Sequence, residues 1–291
     1  MTREWTQADA ARFVRAPSAD DDKYSRGVVA LRTGSAEYPG AAVLGVEAAW
    51  RAGAGYVRYL GGAPDAVLAR RPETVAGDEL GRTRVGAWVI GSGSDAAQRS
   101  AAESAALRQV LGGEAPVVVD AGALDLVEGA AAPLVLTPHD RELARLRDRL
   151  GADPVPDSAE RRVAEAVQVA RMLQAVVLRK GARTIIAAPD DEPLVVANGP
   201  AWLSTAGTGD VLAGVLGAVL AANPRAPRNE AAAAAAWLHG LAARIASGAR
   251  GDAPGHPIVA LDVAAALPRA IEELVTGTQS GTGRAESTGR P

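Results

Sequence analysis

Short runs of valine, isoleucine and leucine recur along the chain, and each is followed by a longer alanine- and leucine-rich stretch with helical spacing. This alternation predicts βα units whose strands stack into a mostly parallel sheet with helices on both faces, a three-layer α/β domain. Strands are expected at 27–32 (GVVALR), 56–60 (YVRYL), 85–90 (VGAWVI), 116–120 (PVVVD), 134–137 (LVLT), 175–179 (AVVLR), 184–188 (TIIAA) and 194–197 (LVVA). Helical patterns fall at 40–53, 95–112, 122–129, 140–150 and 158–173, then at 209–222, 229–247 and 260–275. The strands between 175 and 197 follow one another around Gly181 and a PDDEP turn, so they are expected to pair as antiparallel hairpins at a sheet edge.

With 291 residues, 48% of them hydrophobic, the chain can bury one large core or two modest ones. No linker interrupts residues 20–275, which predicts one domain over 23–275, an N-terminal extension over 1–22 and a polar, glycine-rich flexible tail over 276–291. The six-alanine run at 231–236 reads as a tightly packed helix, since alanine is the best helix former. A net charge of -3 leaves no broad cationic field, so nucleic acid is not an expected partner. No window approaches the ~18 uninterrupted apolar residues of a membrane span, and the charged start MTREWTQADAARFVR lacks a secretory apolar run. A cytoplasmic protein without a membrane partner is expected. The absence of cysteine excludes disulfides, thiolate metal sites and cysteine nucleophiles. His139, His239 and His256 are too scattered to predict a zinc site.

The most informative motif is AGTGDVLAGVLGAVL from Ala206. Gly207 and Gly209, with Thr208 between them, permit a turn that leaves amide N–H groups uncovered just before an apolar helix, which builds an anion site from free amides and the positive helix end. Asp210 is the odd member. Two readings stand: an N-cap, the common role of aspartate at a helix start, or a carboxylate that steers a proton or stabilises a developing cation during phosphoryl chemistry.

Other pieces carry less alone. Lys180-Gly181-Ala182-Arg183-Thr184 ends a strand with a cation, a glycine turn and a hydroxyl, which suits a nucleotide's phosphates or is simply a hairpin with a solvated lysine. Only Lys23 and Lys180 among the 31 cationic residues are lysine, and both sit beside glycine turns, where ammonium and guanidinium are not equivalent. In LTPHDRELARL a strand delivers His139 to its carboxyl end, where ligands of open α/β sheets gather, with Glu142 three residues on. Glu142 either complements the helix dipole or holds water on a phosphate-bound magnesium ion. Gly91-Ser92-Gly93-Ser94-Asp95 is a glycine turn between strand and helix, and in Asp120-Ala121-Gly122 an acid ends a buried strand. Tyr38-Pro39-Gly40 reads as a turn entering a helix.

In their order, KYSRG, GSAEYPGAA, RAGAGYV, GSGSD, VVDAGAL, LTPHDRE, LRKGART, GTGDVLAG and WLHGLA resemble the ADP/ATP-dependent NAD(P)H-hydrate dehydratase family, from about Lys23 to Ala246. Departures from the family's pattern are Arg32-Thr33-Gly34-Ser35 for its first glycine turn, Gly122 for a second acid, His139-Asp140-Arg141-Glu142 for HPGE, and Ala206 for a glycine. The resemblance implies a ribokinase-like fold and repair of hydrated nicotinamide cofactors: the ring hydroxyl of NADHX or NADPHX is phosphorylated by ADP or ATP, and phosphate then leaves. It implies that Ala42, Gly93, His139 and Asp210 contact the hydrate, with Asp210 catalytic. Lys180, Gly181, Ala182, Arg183, Thr184, Gly207, Thr208 and Gly209 would contact the adenine nucleotide, and Mg2+ would come with it. It leaves room for homo-oligomers and for a separate NAD(P)HX epimerase, to which the 22-residue extension is too short to correspond.

Two other classes compete: a small-molecule alcohol kinase of the same fold, and a non-catalytic adenine-nucleotide sensor. Kinases of this fold tend to carry Asn where His139 stands, and a pure sensor gains nothing from the charge of Asp210 facing phosphate.

Overall fold

The apolar runs show no polar alternation because both faces of their strands are covered. Successive side chains point to opposite faces: Val118 and Val135 enter one hydrophobic core, while Val117, Val119, Leu134 and Leu136 enter the other. The computed structural model describes residues 1–14 and 16–282, with 277–282 described by backbone alone.

The strands are β1 (Arg3–Glu4), β2 (Val28–Arg32), β3 (Tyr56–Tyr59), β4 (Val75–Ala76), β5 (Ala87–Ile90), β6 (Val117–Val119), β7 (Leu134–Leu136), β8 (Val176–Arg179), β9 (Thr184–Ala187) and β10 (Leu194–Val196). The helices are α1 (Gln7–Ala11), α2 (Pro39–Arg51), α3 (Pro64–Arg70), α4 (Ala101–Leu111), α5 (Asp140–Arg149), α6 (Arg161–Leu173), α7 (Thr208–Ala222), α8 (Arg228–Ser247) and α9 (Ala260–Thr282). One sheet takes the order β1-β10-β9-β8-β7-β6-β5-β2-β3-β4, and β9 alone runs against its neighbours. The expected hairpins at 175–197 are therefore the two antiparallel joins of the sheet. Helices α1, α2, α7, α8 and α9 pack on one face, and α4, α5 and α6 on the other.

The chain moves outward from β2 to β3 and β4, then returns to the other side of β2 with β5. That reversal opens a crevice beyond the carboxyl ends of β2 and β5, the usual ligand position of such sheets. The turns after these strands meet there: the Gly34 N–H donates to the Ser92 carbonyl at 2.7 Å. Residues 231–236 are all buried within α8, as the alanine run predicts.

Several elements differ from expectation. Residues 1–22 supply β1, which pairs with β10, and α1, closed by a capping box between Thr6 and Asp9. Trp5 is buried against Phe13, so this segment packs on the domain's edge. The helix expected at 95–112 starts at Ala101, where the Ser100 side chain caps it, and 122–129 is a short 3-10 turn over Ala121–Leu126. Helix α9, expected to end at 275, continues to Thr282; the rest of the expected tail, 283–291, lies outside the described residues. No helix among the described residues is long and apolar enough to cross a membrane.

Candidate active site

Four adjacent strands, β5 to β8, each deliver one polar side chain from the carboxyl end of the sheet to a common point. Asp120, just past β6, is almost wholly buried. Its Oδ2 accepts from the Ser92 hydroxyl at 2.9 Å, and its Oδ1 accepts from the Thr137 hydroxyl at 2.7 Å and from Lys180 Nζ at 2.8 Å. Burial alone would push the Lys180 ammonium down, but the charge of Asp120 and then of Glu142 and Asp210 hold it above the ordinary lysine value. The solvated-hairpin reading of Lys180 is thereby removed.

Helix α7 begins with Gly207 at φ +87°, a left-handed conformation open to glycine, and no side chain caps it. Asp210 is therefore not the N-cap but the third residue of the first turn. Burial first and the Asp120 charge second push its carboxyl up to about 6, against the opposing charge of Lys180. The Thr208 hydroxyl turns back to the Leu203 and Thr205 carbonyls, at 2.9 and 2.8 Å, and so braces the turn from inside. Gly209 faces the lysine: a Cβ there would lie 3.6 Å from Lys180 Nζ. Behind the turn, His239 of α8 is fully buried beside the Thr208 backbone, and burial pushes it down to about 4, so it is neutral.

His139 is the N-cap of α5. Its Nδ1 accepts from the Arg141 and Glu142 amides at 3.1 and 3.2 Å, while Glu142 Oε2 accepts from the His139 amide at 2.8 Å. With Nδ1 an acceptor, Nε2 carries a ring proton and lies 3.5 Å from Glu142 Oε1, on a side chain that is half exposed. Glu142 also stands 3.7 Å from Lys180 Nζ, so it links the histidine loop to the lysine loop.

In the remaining predicted segment, the Thr184 hydroxyl donates to the Gly181 carbonyl at 3.0 Å and closes the turn. Gly181 and Ala182 are exposed, and Arg183 points outward to pair with Glu4 of β1. Gly93 lines a cleft of about 580 Å³ together with Tyr38, Ser94, Gly122, Glu142 and Arg145. At φ +66° it passes so near α2 that a Cβ would lie 2.4 Å from that of Ala41. Ala42 is fully buried beneath Gly34, whose own added Cβ would meet the Ala42 Cβ at 2.6 Å, so Ala42 supports the turn from behind. A second cleft of about 560 Å³ lies beside the segment leading into α7, bordered by Trp202, Thr205, Arg244 and Asp252.

Asp210, Lys180, Glu142 and His139 thus converge, and Gly93 borders a cleft that Glu142 also lines. The member that sequence reasoning left without a role is Asp120, with its hydroxyl partners Ser92 and Thr137. The signal was present: an acid that ends an all-valine strand must be solvated by something nearby.

A family model described as NAD(P)H-hydrate dehydratase matches residues 29–257. The bifunctional NAD(P)H-hydrate repair enzyme Nnr of Mycobacterium leprae is 42% identical over 257 residues, 85% of this chain and 52% of that protein. The chain thus spans about half the length of this relative. An ADP-dependent (S)-NAD(P)H-hydrate dehydratase of Neisseria meningitidis is 37% identical over 83% of this chain and 84% of its own. Among solved structures, the ADP/ATP-dependent NAD(P)H-hydrate dehydratase of Bacillus subtilis, co-crystallised with ATP and Mg2+, superposes with a TM-score of 0.81. It is 27% identical and covers 94% of this chain and 99% of its own. The chain belongs to the NAD(P)H-hydrate dehydratase family, on a ribokinase-like fold.

Proposed function

We propose that the chain removes water from the (S)-hydrate of NADH or NADPH, driven by phosphoryl transfer from ADP or ATP, with residues 23–275 as the catalytic unit. The observation that carries this reading is the half-buried carboxylate of Asp210, in an uncapped helix start and within the field of Lys180. A cradle that only bound anions would be weakened by that charge. One that must take a proton from a hydroxyl attacking phosphorus gains from it. With a pKa of about 6, Asp210 is ionised at neutral pH yet basic enough to accept the proton.

Atoms balance in two stages. The ring hydroxyl oxygen bonds to the terminal phosphorus as its proton passes to Asp210, and ADP leaves as AMP, or ATP as ADP. The C–O bond then breaks, phosphate departs with its electron pair, and loss of a ring proton restores the double bond of NADH or NADPH. Lys180, the exposed Gly181-Ala182 turn, Thr184 and Gly207 to Gly209 form the nucleotide side, while Arg183 is turned outward to Glu4. Gly93 and His139, with Ala42 behind the Gly34 turn and Asp210 between the halves, form the hydrate side.

Magnesium fits this site as an ion carried on nucleotide phosphates. No group of three or more His, Asp or Glu side chains among the described residues could hold a metal, and Asp120 already accepts from Ser92, Thr137 and Lys180. Glu142, which lines the cleft, would hold water on such an ion. The ion would supply charge neutralisation between phosphates.

Hydrated NADH with ADP and Mg2+ tests the reading. Return of reduced-nicotinamide absorbance with matching phosphate release is expected. A stable phosphorylated alcohol would instead identify a kinase, and nucleotide binding without turnover a sensor.

A further inference from the structure

The lysine that meets the nucleotide is not free-standing. Its Nζ lies 2.8 Å from Asp120 Oδ1 and 3.7 Å from Glu142 Oε2, and a Cβ on Gly209 would stand 3.6 Å from it. A flexible ammonium lodged among polar groups without a fixed partner swings toward water or loses its proton on burial. Here the partner is itself immobile. Asp120 follows β6 directly, and the Ser92 and Thr137 hydroxyls, from the two flanking strands, each donate to it. All three side chains are buried in the sheet's rim.

We propose that Asp120 is a positioning residue, whose carboxylate, fixed by Ser92 and Thr137, holds the Lys180 ammonium in place to receive the phosphates of an adenine nucleotide. This inference rests on the nucleotide reading given under Proposed function. Asp120 makes no contact with the bound nucleotide; it acts by sparing Lys180 the ordering that binding would otherwise require. The same charge keeps Lys180 protonated and sits on the unfavourable side of the balance for Asp210. The acid therefore serves the nucleotide half of the site directly and the hydrate half only through Asp210.

The test is calorimetric titration of ADP, without hydrate, into the wild type, Asp120→Asn, Lys180→Met and the double variant. Asp120→Asn keeps the volume, and its amide can still accept from the Thr137 hydroxyl while its NH2 donates to the Ser92 oxygen, but it removes the charge that fixes the lysine. It is expected to weaken ADP binding about tenfold or more. Lys180→Met should weaken it at least as much, and the double variant should bind no worse than Lys180→Met alone, because Asp120 acts through the lysine. In turnover, Asp120→Asn should raise KM for ADP much more than KM for the hydrate, a split that general loosening of the sheet would not produce. Unchanged ADP affinity in Asp120→Asn, or losses that multiply in the double variant, would overturn the proposal. If Asp120→Asn fails to fold, Thr137→Val serves instead: a severalfold loss of ADP affinity supports the proposal, and wild-type affinity beside a weakened Lys180→Met sinks it. A wild-type protein that binds no ADP would overturn the nucleotide reading and this inference together. One that binds ADP but does not repair the hydrate would leave the inference standing.

Discussion

Gly214 of α7 lies so close to Gly45 of α2 that a methyl group on it would come within 2.2 Å of the Gly45 carbonyl oxygen. This contact, together with Gly217 against Val29 and Val89, lets α7 lie low across the sheet and aims its uncapped end at the crevice. Gly214→Ala must push α7 away. We expect about 1–3 kcal/mol lower stability in urea unfolding, together with reduced turnover, since Asp210 rides on the displaced helix. A variant with wild-type stability would show that the two helices separate without strain.

Asp210→Asn is expected to abolish turnover while ADP binding stays nearly intact or tightens. The charge is removed and the volume kept. Wild-type turnover should fall as pH drops through about 6, where the carboxylate takes up its proton. The stability sign is opposite to that of most acids. Because the folded carboxyl is raised from 3.8 to about 6, the folded state binds the proton more readily, and Asp210 lowers stability as pH rises through that window. At neutral pH, Asp210→Asn should therefore melt higher than the wild type. Normal turnover in this variant would remove Asp210 from the chemistry, and a lower melting point would contradict the burial argument.

Much of this was legible in the sequence because the deciding features are local. Gly207 and the apolar period after it announce the start of α7, and PVVVD announces a strand with an acid at its end. What local pattern could not supply was convergence: that Ser92, Thr137 and Lys180, far apart in sequence, all turn to Asp120 is a consequence of strand order. The N-cap reading of Asp210 yielded for a similar reason, since Gly207 takes the cap position and leaves the acid inside the first turn. Strand β1 and helix α1 were illegible because a two-residue strand has no period, and its place is set by the exposed edge of β10.

Glu47 of α2 is fully buried as a side chain, with Arg51, Arg70 and Arg71 around it, and those hydrogen bonds and charges hold its carboxyl down at about 2 despite burial. Its folded pKa lies below the unfolded value of 4.5, so it adds stability above that pH and loses it as pH falls toward 2. Glu47→Gln should cost about 1–3 kcal/mol at neutral pH and flatten the acid limb of a stability profile between those values. An unchanged profile would mean that the arginines contribute nothing to folding.

Gly93→Ala separates the two halves of the site. Its backbone, just past β5, is left-handed and separated in the sheet from β8 by β6 and β7, and an added methyl would strike Ala41 of α2, on the side proposed for the hydrate. Hydrate KM should rise about tenfold or more while ADP affinity changes little. Equal losses on both ligands would contradict the division of the cleft.

His139 carries two duties that one substitution can pull apart. Its Nδ1 caps α5, while Nε2 lies 3.5 Å from Glu142 Oε1 on a half-exposed ring. Asparagine is an equally good N-cap, so His139→Asn should hold the melting temperature within about 2 °C of the wild type. It presents no proton donor at the Nε2 position, so hydrate KM should rise severalfold even though the helix is intact. His139→Ala, which loses the cap as well, should give the same kinetic loss plus about 1 kcal/mol of stability. If His139→Asn repaired the hydrate as well as the wild type, the histidine would be a helix cap and nothing more, and the hydrate would have to be held by Gly93 and Asp210 without it.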